Sequence, residues 1–549
     1  MIISGTLKSA AMYLRGWPRM NYNLHTPDLA SITKRFPTSP LVAALIASSS
    51  LSEEQIEELL HGSDTPTVSS AICVQKAAAR ILAAKKAGEK VFIGGDYDAD
   101  GICSTAIMKD TLDKLGIPNG YYIPNRFKEG YGLSASTVEA AAKKGYTLIL
   151  TVDNGVRAFD AIAKAKKLGL SIIVTDHHEI QDPVPAEIVV HPDYMEPDYT
   201  TLSGAGVALQ ISRTLIGDYA PHTCLAAIAA IADVMPLWKE TRRIVKAGMR
   251  LLNQNALPSA SALLREGSVF DETSLSFQII PKLNSVGRMN DISNVNTLVP
   301  FLLSRNPDTI LRYAAQLNQV NEERRNRSRS MSLKAEKMVD EEDFQLIFDE
   351  SFEEGICGLV AGRIAQETHH PTVILARSGN LYKGSGRSVA GFNLYDFFSD
   401  FSELSAFGGH AMAVGLSVPE EQYEPFCRHV KEKMKETSFI YEEPVPEAVL
   451  IPSDLITLDH VADLKLLSPY PKEMVPAVFA IQRPVTEHVF RSPKVVKYSF
   501  GNDSTGFDGV LYTRKGIPAP ESPVFAAGPL SINRWRSLVR VQMDLEAIE

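Results

Sequence analysis

Cysteine is scarce in this chain, and the few present are dispersed. Five occur, at Cys73, Cys103, Cys224, Cys357 and Cys427. No Cys-x-x-Cys pair is among them, which removes a disulfide framework and a thiolate zinc site from consideration. A reducing cytoplasm is the expected compartment. Long apolar runs are also missing. The longest, Leu41 to Leu51 and Cys224 to Trp238, fall short of a bilayer span, and the second contains Asp233. The first residues lack the basic, apolar and cleavage-site series of a signal peptide, so neither membrane insertion nor secretion is expected. A basic excess is absent too, since the net charge is −9. Nucleic-acid binders usually carry the opposite sign. Bound divalent cations or local basic stripes can still hold phosphate on an acidic chain, so charge leaves the partner open. Internal repeats and low-complexity tracts do not occur.

What is present is a chain of 549 residues, enough for about three or four domains. Residues 1 to 85 read as an N-terminal extension ending in an Ala- and Lys-rich helix, Ile72 to Lys86. From Lys90 short apolar strands alternate with helices. Strands are expected at Val91 to Ile93, Tyr121 to Ile123, Leu148 to Val152 and Ile172 to Val174. Helices are expected at Cys103 to Leu115, Ser134 to Lys144 (with Ser134 as cap), Ala158 to Leu168, Gly204 to Ile216 and Thr223 to Ile231. Such alternation predicts an α/β doubly wound parallel sheet buried on both faces. Pro307 to Val339 is a long polar helix with a basic burst at Arg324, Arg325, Arg327 and Arg329, suited to connecting domains. A second α/β segment follows, with strands at Gln345 to Phe348 and Thr372 to Leu375. Pro444 to Pro452 reads as a linker. The tail has strand-like stretches at Val478 to Ile481, Val495 to Phe500, Gly509 to Tyr512, Val524 to Ala527 and Val539 to Leu545, which predict a small β-barrel.

Ligands of open parallel sheets bind beyond the carboxyl ends of the strands. Three acidic sequences fall there: Asp96-Tyr97-Asp98-Ala99-Asp100-Gly101, Asp153-Asn154-Gly155 and Asp176-His177-His178-Glu179. The first opens like a calcium-binding EF-hand loop, but that loop needs a Glu at its twelfth position, which is Ile107, and a helix before it rather than a strand. Any one of these motifs could be only a turn. Together they crowd carboxylates on one rim, where each pair about 4 Å apart costs on the order of 4 kcal/mol at an effective dielectric near 20. Divalent cations remove that cost. Carboxylates with one or two imidazoles suit manganese or magnesium better than zinc. Two adjacent cations polarise a phosphoryl oxygen, lower the pKa of a bridging water and stabilise the leaving oxygen, the three services that phosphodiester hydrolysis needs. Asp153, on the strand between the others in sequence, is the expected shared ligand.

The sequences Gly95 to Gly101 (GDYDADG), Val152 to Gly155 (VDNG), Thr175 to Glu179 (TDHHE) and Ala232 to Leu237 (ADVMPL) resemble the four catalytic motifs of the DHH phosphoesterase superfamily. The wider chain resembles its RecJ branch, the single-stranded-DNA-specific exonucleases. The supporting segments are Ile123 to Leu133, Ser203 to Ala208, Pro281 to Asn290, Gly384 to Ser388, Phe407 to Val418 and Asn533 to Leu545. The resemblance implies a DHH domain over residues 86–300, a connecting helix over 301–340, a DHH-associated domain over 341–440 and an OB-fold over 441–549. It implies two Mn²⁺ ions, with Mg²⁺ as alternative, on Asp96, Asp98, Asp100, Asp153, His177 and Asp233. His178 would touch the scissile phosphate, and Asp176 would support His177. Arg126 and Arg288 would hold the DNA strand, and Ser385, Arg387, Ser388 and His410 would hold phosphate from the associated domain. Ser203, Gly204 and Gly206 open a helix whose N–H groups suit an anion. The lead-in around His61 to Ser70 departs from the family pattern, which puts accessory contacts in doubt.

In the tail, Trp535 between Arg534 and Arg536 is the expected exposed aromatic for stacking on a base. The resemblance implies degradation of single-stranded DNA from the 5′ end to mononucleotides, in repair and recombination, with a single-strand-binding protein or helicase as possible partner. Two other readings stand beside it. One is a DHH phosphodiesterase acting on short RNA or cyclic dinucleotides, against which the tail and the DADG form of the first motif speak. The other is a catalytically dead scaffold, against which the complete ligand set speaks.

Overall fold

Alternate residues of each central strand go to opposite faces, and this builds the main domain. A computed structural model describes residues 22–125, 129–130, 132–441, 445–501, 506–513, 516, 519–535 and 538–549. Five parallel strands, β1 (Val91–Gly94), β2 (Asn119–Tyr122), β3 (Leu148–Thr151), β4 (Ser171–Thr175) and β5 (Ile188–Val190), form one sheet in the order β2-β1-β3-β4-β5. Val91, Ile93, Leu148, Leu150 and Ile173 pack in one core with helices α1 (Ile72–Ala87), α2 (Ala99–Lys114), α5 (Gly204–Ile216) and α6 (Ala220–Ala232). Phe92, Ile149, Ile172 and Val174 pack in a second core with α3 (Ala135–Lys143) and α4 (Phe159–Lys167). The order reverses direction at β1, so the ends of β1 and β3 flank the crevice where such sheets bind ligands. Ser134 caps α3 by accepting the Thr137 N–H at 3.2 Å.

Two unexpected placements concern the N-terminal region. Helix α1 is no appendage, because Val74, Ala77, Ile81 and Ala84 are buried in the main core. The chain divides into the units His61–Glu442 and Met1–Leu60 with Glu443–Glu549, so the expected 1–85 extension is split between them. The lead-in before α1 is held by three buried or half-buried side chains. Glu240 accepts from Thr67 N and Oγ1, Gln210 from Ser69 N, and Glu196 from Ser69 Oγ, Ser70 N and Ser70 Oγ.

Within His61–Glu442, α7 (Ile280–Arg288) precedes the connecting helix α8 (Pro307–Glu336). Asn306 caps α8 through the Thr309 N–H, with proline in the first turn. The second α/β segment holds β6 (Gln345–Phe348), helix α9 (Glu354–Thr368), β7 (Thr372–Ser378), β8 (Leu381–Arg387), β9 (Ala406–His410) and β10 (Ala413–Pro419), in the sheet order β9-β10-β8-β7-β6.

The other unit is built on a nine-stranded ladder. Its path runs Asn23–His25, Glu447–Leu450, Val478–Gln482, Phe525–Trp535, Leu538–Asp544, Phe507–Tyr512, Val495–Phe500, Thr486–Arg491, with Ala547–Ile548 also on Phe525–Trp535. Among the described residues the path does not return on itself, so the expected barrel is not closed. The expected linker contains a strand, Glu447–Leu450, paired on one side with Asn23–His25 and on the other with Val478–Gln482. Its flanking prolines lie outside the paired residues, where they remove no ladder bond. The apolar run at Leu41 is a buried helix, Pro40–Ser48. No described helix is long and apolar enough to cross a membrane, and all five cysteines are free.

Candidate metal centre

The loop after β1 turns directly into α2, and its carboxylates begin the site. Asp98 is the N-cap of α2 and accepts the N–H groups of Asp100 and Gly101, each at 3.1 Å. Asn284 of α7 takes the remaining first-turn donor, Ala99 N, at 2.9 Å. Asp96 is buried beneath this turn. Gly101 has to be glycine, since a Cβ there would stand 2.5 Å from the Asp96 carbonyl oxygen.

Asp100 faces the start of α5. Its two oxygens accept Gly204 N and Ala205 N, both at 2.7 Å, while Ser203 Oγ accepts Gly206 N at 3.3 Å. This corrects the assignment of Ser203, Gly204 and Gly206 to an external anion. The anion at that helix end is the chain's own carboxylate, set against the positive end of the helix dipole.

After β3, Asp153 adopts a positive φ of 60°. Gly204 packs so closely on it that a Cβ would lie 2.6 Å from the Asp153 Cβ and Oδ1. The next residue, Asn154, is fully buried and ties the strand ends together. Its Nδ2 donates to Gly94 O and Val152 O, and its Oδ1 accepts Leu133 N. Sequence reasoning gives Asn154 no role of its own; its partners come from segments distant in the chain.

The two histidines after β4 have different surroundings. His177 Nε2 lies 3.1 Å from Asp153 Oδ1, 3.4 Å from Asp233 Oδ2 and 3.6 Å from Asp100 Oδ2. Burial pushes its pKa down, favouring the neutral imidazole that binds metals. The His178 side chain is 42% exposed, and its Nδ1 is 2.8 Å from Asp176 Oδ1. Burial opposes its charge, but Asp176 and the nearby carboxylates outweigh that and raise its pKa to about 9. Asp176 also accepts the backbone N–H groups of His177, His178 and Val156. The expected support of the His177 ring is therefore corrected: the imidazole that Asp176 orients is that of His178.

Asp233 caps the carboxyl end of α6. Burial, then Asp100 and Asp98, raise its pKa to about 7. Burial and Asp100 likewise raise Asp98 and, more strongly, Asp153. Three groups can each surround a cation, with ligand atoms within 4.8 Å of one another: Asp96, Asp98 and Asp153; Asp100, His177 and Asp233; Asp153, His177 and His178. Asp153 and His177 each belong to two of them. The donor set, carboxylates with imidazole, fits manganese or magnesium, and cations offset the repulsion that raises these pKa values.

The remaining sequence candidates are more dispersed. Arg288 ends α7, whose Gly287 packs against Tyr97. The following Met289 is buried in the core of the second α/β segment with Ile356, Cys357 and Val360. Burial and then Arg288 depress the pKa of Arg324, so α8 brings a second guanidinium toward Arg288. On β8, Arg387 Nη1 donates to Ser385 Oγ at 2.9 Å. Arg387 and His410 both pair with Ala413, and Ser385 and Gly408 both pair with Gly415. Directly opposed residues share a sheet face, so these groups line one surface, which is open beside Gly408 and Gly415. Ser388 belongs elsewhere, because its hydroxyl donates to Phe392 O at 2.7 Å within its own loop. Its assignment to phosphate is corrected accordingly. Arg126, Arg536 and the side chain of Trp535 lie outside the described residues.

Known proteins share this arrangement of domains. Residues 90–234 match the DHH family, N-terminal domain, and residues 341–436 match the DHHA1 domain. The single-stranded-DNA-specific exonuclease RecJ of Bacillus subtilis (strain 168) is 32% identical over 562 residues, covering 96% of this chain and 70% of that protein. The protein of the same name from Escherichia coli (strain K12) is 30% identical, covering 86% of this chain and 90% of its own. The crystal structure of RecJ from Thermus thermophilus in complex with Mn²⁺ matches with a TM-score of 0.78 at 24% identity, over 96% of this chain and 79% of that one. A structure of exonuclease RecJ bound to manganese matches with a TM-score of 0.60 at 28% identity, over 67% and 96%.

Proposed function

The chain belongs to the RecJ family, and on that premise we propose that it is a metal-dependent exonuclease that hydrolyses single-stranded DNA from the 5′ end, releasing mononucleotides. One observation carries the chemistry: Asp96, Asp98, Asp100, Asp153, His177 and Asp233 come from separate strand and helix ends, yet they meet as two groups of cation ligands, Asp96 with Asp98 and Asp153, and Asp100 with His177 and Asp233, which a third group of Asp153, His177 and His178 joins. These residues would hold two Mn²⁺ ions, with Mg²⁺ as the alternative. When bound, such ions polarise the phosphoryl oxygen, ease deprotonation of the attacking water and stabilise the leaving oxygen.

The other side chains position the strand. His178, fixed by Asp176 and partly exposed, touches the scissile phosphate. Arg288, with Arg126, grips the 5′ region. Ser385, Arg387 and His410 line a surface for the phosphate backbone. The β-rich tail acts as an OB-fold-like nucleic-acid-binding domain, with Trp535 stacking on a base. The proposal extends to a cytoplasmic role in DNA repair and recombination, with a single-strand-binding protein or helicase as partner.

The test is digestion of single-stranded oligonucleotides labelled at either end, with Mn²⁺ or Mg²⁺. Early release of the 5′ label as a mononucleotide supports the proposal. An intact 5′-labelled strand in manganese defeats it, and early release of the 3′ label reverses the polarity. Faster cleavage of cyclic dinucleotides than of long DNA would move the substrate class.

A further inference from the structure

Helix α6 stops beside the metal centre in a way that its sequence does not explain. Asp233 is the C-cap; the Val234 N–H returns to the Ile231 carbonyl at 3.3 Å, and the Met235 N–H returns to the Ala230 carbonyl at 3.0 Å. These two bonds make a Schellman stop, whose turn residue is left-handed and usually glycine. Here it is valine, with φ of 53°. Six described non-glycine residues have positive φ, and Val234 alone among them is β-branched. Branching at Cβ makes this conformation costly, because Cβ crowds its own backbone.

The fold offers nothing that offsets this cost. Val234 is 81% exposed, so its side chain fills no core. Glycine would make the same two backbone bonds without strain. Costly backbone that persists beside a reactive centre points to function. The adjoining Asp233 carboxylate lies 3.4 Å from His177 Nε2, so the exposed isopropyl group belongs to the residue directly after a member of the cluster. It has no charge, donor or acceptor, and its useful contact is apolar. A nucleotide presents apolar surface only on its sugar carbons and base faces. We propose that Val234 is a substrate contact whose isopropyl group packs against the sugar and base of the nucleotide held at the carboxylate cluster.

This inference rests on single-stranded DNA being the substrate. It is tested by comparing wild-type protein with Val234→Gly and Val234→Ala in melting temperature, Mn²⁺ affinity by calorimetry, and kinetics on a single-stranded oligonucleotide. Glycine should melt at or above the wild type, bind Mn²⁺ equally well and lose about tenfold in kcat/KM, mostly through KM, as expected for a lost, partly buried valine contact. Alanine should lose similar activity with a smaller gain in stability, since it removes the branch but keeps a Cβ in the left-handed conformation. The inference is overturned by a glycine variant with wild-type kcat/KM. It is equally overturned if that variant melts lower, or if its activity loss is matched by weaker Mn²⁺ binding, because Val234 would then act through the helix stop or through Asp233. Wild-type protein that leaves the oligonucleotide intact in manganese defeats the substrate reading first, before any variant is compared.

Discussion

The carboxylate of Asp100 accepts the backbone N–H of Gly204 at 2.7 Å, across 104 positions of sequence. One residue of the acidic cluster thus also closes the start of α5. Asp153, against which Gly204 packs, is instead pushed toward its neutral form by burial and by Asp100. The two aspartates should therefore respond oppositely to substitution. Asp100→Ala strips the acceptor from two buried N–H groups and should cost about 2 kcal/mol or more of stability without metal. Asp153→Asn removes a buried negative charge whose pKa is driven upward by burial and by Asp100, and asparagine tolerates its positive φ. That variant should melt at or above wild type in EDTA, with cleavage reduced to background. Denaturant melts in chelator check the contrast, which fails if both variants lose equal stability.

The same repulsion predicts a large response to metal. Carboxylates that oppose one another when the protein is stripped should hold the fold together once cations bind. At about 100 times its Kd, Mn²⁺ should add about 2.7 kcal/mol to stability. Thermal melts of chelated protein during stepwise addition of Mn²⁺ measure this. A melting temperature that does not move would show that the cluster binds no ion.

Asp176 serves four donors: the N–H groups of Val156, His177 and His178, and His178 Nδ1. Asparagine leaves one oxygen for all of them. Asp176→Asn should lower kcat by about 10- to 100-fold while changing Mn²⁺ affinity less than His177→Ala does. If Asp176→Asn weakens Mn²⁺ binding as much as His177→Ala does, Asp176 acts on the ligand rather than on His178.

Part of this is legible in the sequence for a definite physical reason. Strands such as Val91–Gly94 are buried on both faces, so they read as short apolar runs, and the carboxylates after them fall on one rim whatever the helices do. Pairing across long separations leaves no local mark. Nothing near Asp100 announces Gly204, and nothing in Glu447–Leu450 announces Asn23–His25, so the first reads as an anion site and the second as a linker. Periodicity locates helix α1 closely, yet it does not say what the Ala-rich face packs against. Sequence adjacency puts Asp176 beside His177 and does not reveal that the side chain turns back to His178.

Glu196 provides a pH-dependent anchor away from the metal centre. Burial works against its charge, but the Ser69 and Ser70 hydrogen bonds prevail and lower its pKa to about 2. A lowered carboxyl pKa contributes stability above the unfolded value, about 4.3, and loses it as pH falls toward the folded value. Glu196→Gln should therefore be less stable than wild type from neutral pH down to about pH 5, with the gap closing between about pH 4 and 2. The difference in denaturation midpoint across that range measures it; a constant gap would rule out the charge as its source.

Arg387 and Ser388 are adjacent in sequence but are assigned different work by the strand they end. Arg387 shares a face with Ser385 and His410, whereas Ser388 donates to Phe392 O inside the loop. Arg387→Gln should raise KM for single-stranded DNA and reduce the salt dependence of binding by about one phosphate contact. Ser388→Ala should cost about 1 kcal/mol of stability and leave both KM and the salt slope unchanged. Binding titrations at several salt concentrations, beside denaturant melts, separate the two effects. If Ser388→Ala raised KM as Arg387→Gln does, the serine would belong to the DNA surface after all, and the bond to Phe392 would have to yield when the strand binds.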